Sequence, residues 1–265
     1  MILSCEKCGF KMTSPAPQPD EIRRYYESRD YISHDTKEKN LMNLAYKFLR
    51  FFTLRAKGKI VRKNSSGVKI LDIGCGTGEF LARMRKMGYD CSGVEPNEKA
   101  RAFAERKHSL PVYNIIKAKE LETGTYDCIT LWHVLEHMHD LNETVSALKG
   151  LLKPTGKIIL ALPNPESWDA KYYKQFWAAY DLPRHLYHFS ARNISDLATR
   201  FGLQVEKTLP QYLDAFYISL LSEKYKSGKK DPVMGTINGI RSNCNARKSS
   251  NGYSSHIYIL SPKFS

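Results

Sequence analysis

One stretch constrains the fold more than any other: Val68-Lys-Ile-Leu-Asp-Ile-Gly-Cys-Gly-Thr-Gly-Glu-Phe-Leu81. Val68, Ile70, Leu71 and Ile73 form a nearly continuous apolar run, as expected of a parallel strand covered on both faces. Gly74, Gly76 and Gly78 follow at once. Glycine permits positive φ and lets a ligand lie against bare backbone. A helix beginning near Thr77 would point its free N–H groups into that turn. Such a corner suits the polar end of a nucleotide-like ligand, and a tight turn without a ligand is the plain alternative.

Glycine spacing discriminates between ligands. The dinucleotide fingerprint is G-x-G-x-x-G, whereas here the third glycine comes one residue early and Glu79 stands in its place. With Asp72 ahead of it, the string resembles the first motif of class I S-adenosylmethionine-dependent methyltransferases. A second signal lies at the right distance. Asp90-Cys-Ser-Gly-Val-Glu95 reads as a strand ending in a carboxylate, and Pro96-Asn97 opens the next helix. A carboxylate about 20 residues beyond the glycines accepts hydrogen bonds from ribose hydroxyls. An NAD enzyme would use Glu95 in the same way, so only the glycine spacing argues against it. The resemblance implies that Asp72, Gly74, Cys75, Gly76, Gly78, Glu95, Pro96, Trp132 and His133 bind S-adenosylmethionine and its product S-adenosylhomocysteine. Members of this family usually carry an acidic residue near adenine after the third strand. Here Lys117 stands near that place, and backbone groups around Ala118 are expected to serve instead.

Strands and helices alternate after Val68. Strands are expected at 68–73, 90–95, 112–115, 126–132, 156–162, 203–210 and 255–261, and helices near 77–87, 97–106, 140–152 and 190–201. Alternation of this kind gives an α/β, Rossmann-like doubly wound sheet. The family resemblance adds an antiparallel last strand to a seven-stranded sheet. The segments "YDCITLWHVLEHM" and "LLKPTGKIILALPN" also resemble small-molecule methyltransferases, including those of ubiquinone biosynthesis. Three regions follow: a disordered or half-knuckle tail at 1–19, an N-terminal helical lid at 20–64, and the cofactor-binding domain at 65–265 with an insertion at 222–252. Leu41, Leu44, Ala45, Phe48, Leu49 and Phe52 share one helix face, which reads as packing. Tyr31 and His34 are placed over the cofactor, as related enzymes close a helix over theirs.

The six cysteines show no disulfide framework, three of them lying in or beside expected strands. With no signal peptide or spanning apolar run, a cytoplasmic location is expected. Cys5-Glu-Lys-Cys8 is half of a zinc knuckle. Some relatives carry a full N-terminal ribbon, so the resemblance implies a remnant. Structural zinc wants four ligands, and no bound metal is expected. His133-Val-Leu-Glu-His137 matches the H-x-x-E-H of certain zinc peptidases, but at a strand end it lacks their helical context.

Methyl transfer is an in-line displacement, so the protein mainly aligns the reactants and excludes water. A hydroxyl acceptor also needs a base, for which histidine is suited near neutral pH. His185, His188 and His133 are the candidates, all beyond strand ends where ligands of open sheets bind. Trp177, Tyr180, Arg184 and His185 are expected to shape the acceptor pocket, Arg184 meeting an anionic group. Helix capping and loop bonding are the structural alternatives for His185, His188 and Arg184, and Ser190 reads as an N-cap.

The net charge of +14 suggests an acidic partner, although charge runs usually decorate solvated faces. No nucleic-acid-binding module is visible. The expectation is methyl transfer to a small-molecule or biosynthetic-intermediate acceptor, sugar- or lipid-linked acceptors included. RNA methylation and a non-catalytic cofactor-binding role are the alternatives. Oligomeric state is not legible. Calorimetry is expected to show binding of S-adenosylhomocysteine but not NAD, with binding lost in Glu95→Ala. A preference for NAD would refute the glycine-spacing reading.

Overall fold

The computed structural model describes residues 1–25, 41–115, 120–229, 231–248 and 252–263. Tyr31, His34 and Ala118 lie outside them, as does most of the expected lid before Leu41.

The apolar runs become the central strands of a seven-stranded sheet. Its strands are β3 (Lys69–Ile73), β4 (Asp90–Val94), β5 (Val112–Tyr113), β6 (Tyr126–Trp132), β7 (Leu152–Pro163), β9 (Leu203–Pro210) and β10 (Ser255–Pro262), in the order β5-β4-β3-β6-β7-β10-β9. Strands β3 to β7 pair in parallel. Strand β10 runs antiparallel to both β7 and β9, as the family resemblance implied. Helices α2 (Glu79–Lys86), α3 (Glu98–His108), α4 (Leu141–Leu151) and α6 (Ala191–Arg200) cover the faces. Three of them, α3, α4 and α6, begin at a side-chain cap that satisfies free N–H groups. The Asn97 and Asp140 side chains accept from Ala100 and Glu143, and Ser190 and Asn193 form a reciprocal capping box. Two apolar layers result. One centres on Leu71, Ile129 and Leu160, the other on Ile70, Leu81 and Ile159.

Helix α1 (Leu41–Asn64) packs its last turns on the second layer. Val61 is fully buried, and Gly58 lies against Met84 and Met87 of the α2 region. One boundary differs from expectation. Pro154 and Gly156 lie within β7, because Tyr126 pairs with Leu152 while Cys128 pairs with Lys157, which leaves the intervening residues bulged.

Residues 1–19, expected as a disordered or half-knuckle tail, carry two short strands. Strands β1 (Ile2–Ser4) and β2 (Lys11–Thr13) form a hairpin, and β2 pairs with β8 (Tyr187–His188) in a small second sheet. Phe10 packs on Tyr187 and Phe189, with ring centroids 5.7 and 5.5 Å away. The Thr13 hydroxyl donates to the His185 carbonyl and lies 3.2 Å from His188 Nε2. Cys5 and Cys8 are exposed at the hairpin turn. The 222–252 insertion contributes most of a helical hairpin, α7 (Asp214–Ser227) with α8 (Pro232–Ala246). Between β7 and β8 lies the short helix α5 (Trp168–Tyr173).

Thr13→Val keeps the side-chain shape but strips two buried groups of their partner. It is expected to cost about 1–3 kcal/mol in chemical denaturation. An unchanged midpoint would mean that the hairpin is not docked in solution.

Candidate active site

All the parallel strands, and β9 beside them, end on one edge, so their following residues converge. The glycine turn after β3 adopts the left-handed conformation at Gly74, Gly76 and Gly78, with φ of 69°, 54° and 79°. A side chain at Gly74 would strike Val134, and one at Gly78 would strike Ala104 and Leu110. At Gly76 nothing lies within 4 Å of where a Cβ would stand, so the backbone there faces open space. The Gly76 N–H donates to Glu95 Oε2 and the Asn97 N–H to Oε1, both at 2.8 Å. Glu95 is buried. Burial raises its pKa, and the two backbone bonds partly offset that. Each oxygen keeps a lone pair for a further donor.

Trp132 borders this corner, edge-on to Phe80 at 5.5 Å and beneath Lys57 Nζ at 4.6 Å. Its Nε1–H is buried and has no hydrogen-bond partner among the described residues. Cys75 is buried against Gly93, and Pro96 is exposed beside the corner. Asp72 has a different place from the one expected. It is buried within the sheet, accepting a hydrogen bond from Thr130, so it braces β3 against β6. Burial lifts its pKa to about 7. An open glycine turn beside a pinned carboxylate fits a nucleoside cofactor with vicinal hydroxyls.

A second cluster follows β6. His133 has φ 59°, and its ring lies between two carboxylates. Nε2 is 3.0 Å from Asp214 Oδ2, and Nδ1 is 3.5 Å from Glu136 Oε1. Burial disfavours the imidazolium, but Asp214 and then Glu136 outweigh it and raise the pKa to about 9. Glu136 is buried. Burial pushes its pKa up, yet His133 and the neighbouring histidines leave it below the ordinary carboxylate range. Asp214 is likewise held low by His133, against its burial.

The other expected site residues divide. His185 is buried, its Nδ1 2.8 Å from the Ala179 carbonyl and its Nε2 4.0 Å from Glu136. Burial lowers its pKa to about 4, so it is neutral near pH 7. His188 is buried too and spends its Nε2 on Thr13, where it secures the N-terminal hairpin. Burial lowers its pKa to about 3. Trp177 is fully enclosed, donating from Nε1 to Asp169 at 2.8 Å. Tyr180 packs edge-on between Trp177 and His188. Arg184 pairs with Asp181 at 2.6 Å.

Glu136, His137 and His185 each offer one ligand atom, all within 4.8 Å of one another. Carboxylate and imidazole are borderline donors suited to zinc or another transition ion. Glu136 and Asp214 were not foreseen. The first lay in the H-V-L-E-H string, and nothing local marked the second.

A family model described as "Methyltransferase domain" matches residues 39–208. The chain belongs to that family. Its fold and glycine corner are of the class I, S-adenosylmethionine-dependent type. The chain is 35% identical over 112 residues to a ubiquinone biosynthesis O-methyltransferase of Bordetella avium (strain 197N), covering 38% of this chain and 46% of that protein. A Dechloromonas aromatica (strain RCB) protein of the same name is 27% identical over 191 residues, covering 66% and 79%. In the first of these the chain thus spans about half the relative's length. Solved structures agree on the fold. The magnesium protoporphyrin IX methyltransferase of Synechocystis PCC 6803 with bound S-adenosylhomocysteine superposes with a TM-score of 0.58 at 15% identity, covering 91% of this chain and 98% of that one. A SAM dependent methyltransferase from Archaeoglobus fulgidus gives 0.53 at 22% identity, covering 81% and 99%.

The raised pKa of His133 has a consequence for this methyltransferase fold. A group whose pKa rises on folding stabilises fully below its unfolded value and loses that contribution as pH rises through the folded one. Stability is therefore expected to fall between pH about 6.5 and about 9. Denaturation midpoints across that window should decline less in His133→Gln. An equal decline would place the effect elsewhere.

Proposed function

We propose that the protein transfers a methyl group from S-adenosylmethionine to a hydroxyl of a small-molecule acceptor, with His133 taking the proton. The observation that carries this reading is the position of His133, at the strand-end edge beside the glycine corner and held by Asp214 at 3.0 Å. The O-methyltransferase names of the relatives favour oxygen as the acceptor atom.

When bound, the cofactor supplies an activated methyl on a sulfonium leaving group. The chain's own residues do the rest. Gly76 and Glu95 offer the backbone face and the carboxylate that hold ribose. Trp132 walls the corner and offers a buried N–H. Asp214 accepts from the His133 Nε2–H and fixes the ring, and Nδ1, 3.5 Å from Glu136, is the atom that takes the proton from the acceptor hydroxyl. His185 is neutral and buried, and with Tyr180 it shapes the floor on the Glu136 side. A pH near neutral leaves His133 largely protonated, so the proton-accepting form grows as pH approaches about 9.

The same fold also serves a [4+2]-cyclase, which superposes with a TM-score of 0.55 at 15% identity. Cofactor binding alone therefore does not establish transfer. The test is incubation with S-adenosylmethionine and a panel of phenols and catechols, with and without polyprenyl tails, following S-adenosylhomocysteine release and acceptor mass. One added methyl on an acceptor oxygen is expected. Turnover should rise with pH towards a plateau above about 9. Asp214→Asn removes the carboxylate nearest the ring and should shift that rise to lower pH, while His133→Asn should reduce turnover about 10²–10⁴-fold. Cofactor binding without methylated product across the panel would refute methyl transfer to such acceptors. A flat pH profile would refute His133 as the base.

A further inference from the structure

The helical hairpin α7–α8 buries many polar groups and leaves an apolar stripe in water. Its inward side carries many small and polar residues: Ser219, Ser222 and Glu223 in α7, and Asn238 and Ser242 in α8, are buried, with Ala215 and Ile218 of α7 beside them. Glu223 accepts from Tyr173 at 2.9 Å and from Asn238 at 2.8 Å, and Ser242 donates to Asp169 at 3.0 Å. Gly235 and Gly239, four residues apart, bring the helices into close contact. A Cβ at Gly235 would lie 2.8 Å from Leu220 Cα, and one at Gly239 would lie 3.0 Å from Phe216 Cα. Small residues at this spacing are the usual means of packing helices whose outer faces are apolar.

The outward side of α8 is indeed apolar. Val233, Ile237 and Ile240, at i, i+4 and i+7, are 68%, 37% and 50% exposed. On α7, Tyr217 and Tyr225 are 64% and 52% exposed. In water this arrangement is unfavourable, since burying apolar side chains is the main favourable contribution of an amphipathic helix.

The charges around it have one sign. Lys224, Lys226, Lys229, Arg241, Arg247 and Lys248 are exposed. The three acids of the hairpin are engaged inside it: Glu223 is buried, Asp214 pairs with His133, and Asp231 caps α8 by accepting from Met234. The helices are 14 and 15 residues long, about 21–23 Å, short of the ~30 Å hydrocarbon layer. No helix among the described residues is long and apolar enough to cross a membrane.

From the exposed apolar stripe and its basic border, we infer that α7–α8 is a docking surface for an anionic phospholipid membrane, the stripe entering the interface and the cations meeting headgroup phosphates. Apolar insertion and cationic attraction are the two forces that hold interfacial helices. The hairpin also carries Asp214, the carboxylate that pairs with His133. The inference does not require the methyl-transfer reading, because its test measures binding and not turnover.

The test is flotation of the full chain with phosphatidylcholine vesicles, with and without phosphatidylglycerol. Binding to the anionic vesicles alone, weakened by salt, is expected. Ile237→Gln with Ile240→Gln removes the stripe without adding charge and should weaken binding about tenfold or more. Lys226→Gln with Lys229→Gln should weaken it and reduce the salt dependence. Thermal unfolding and S-adenosylhomocysteine calorimetry check that both variants fold. Absence of binding, equal binding to neutral vesicles, or binding untouched by the Ile variants would overturn the inference. A dimer in sedimentation velocity that those Ile variants disperse, with no vesicle binding, would overturn it in favour of a second copy of this chain.

Discussion

Two hydrogen bonds to the Glu95 carboxylate organise the rest of the site. The Gly76 and Asn97 N–H groups, each 2.8 Å away, join the glycine turn after β3 to the start of α3 after β4. A buried carboxylate demands such donors, because leaving it unpaired would cost far more than the bonds return. The three left-handed glycines let the chain come close enough to supply one of them. That closure fixes the turn against β4 and leaves the Gly76 backbone facing open space.

The second cluster shows how burial and charge compete. His133, Glu136 and Asp214 share one environment, yet each is held in its charged form by the others. His185 and His188, a few ångströms away in the same fold, lose that contest and stay neutral. The difference lies in geometry. His133 has a carboxylate at 3.0 Å, whereas the carboxylates nearest His185 Nε2 are 3.7 and 4.0 Å away. Interaction between charges falls with distance, so the nearer carboxylate favours the charged form at His133, while burial and the neighbouring His137 keep His185 neutral.

Two attachments surround this core. The N-terminal hairpin extends the 185–193 segment as a small sheet and hides His188 beneath it. The α7–α8 hairpin covers Trp177 and Tyr173 with Ile218 and a buried polar network, and leaves Val233, Ile237 and Ile240 of α8 outward. Both attachments use backbone pairing or buried polar networks, which need specific geometry, where an ordinary packing interface would use apolar area.

The sequence by itself determined the parallel sheet, the glycine corner and Glu95. These are written locally, in an apolar run, in residues that tolerate positive φ and in a carboxylate at a strand end. The N-cap at Ser190 was legible for the same reason. Tertiary structure decided what depends on partners distant in sequence. Asp72 became an internal brace because Thr130 lies opposite it across a strand pair. His188 became structural because residue 13 reaches it, and Arg184 pairs with Asp181. Asp214 joined His133 from 81 residues away because β6 and β9 end on the same edge. Local pattern fixes backbone conformation, whereas the protonation and role of a side chain are set by charges and dipoles within a few ångströms, and only the folded chain brings those together.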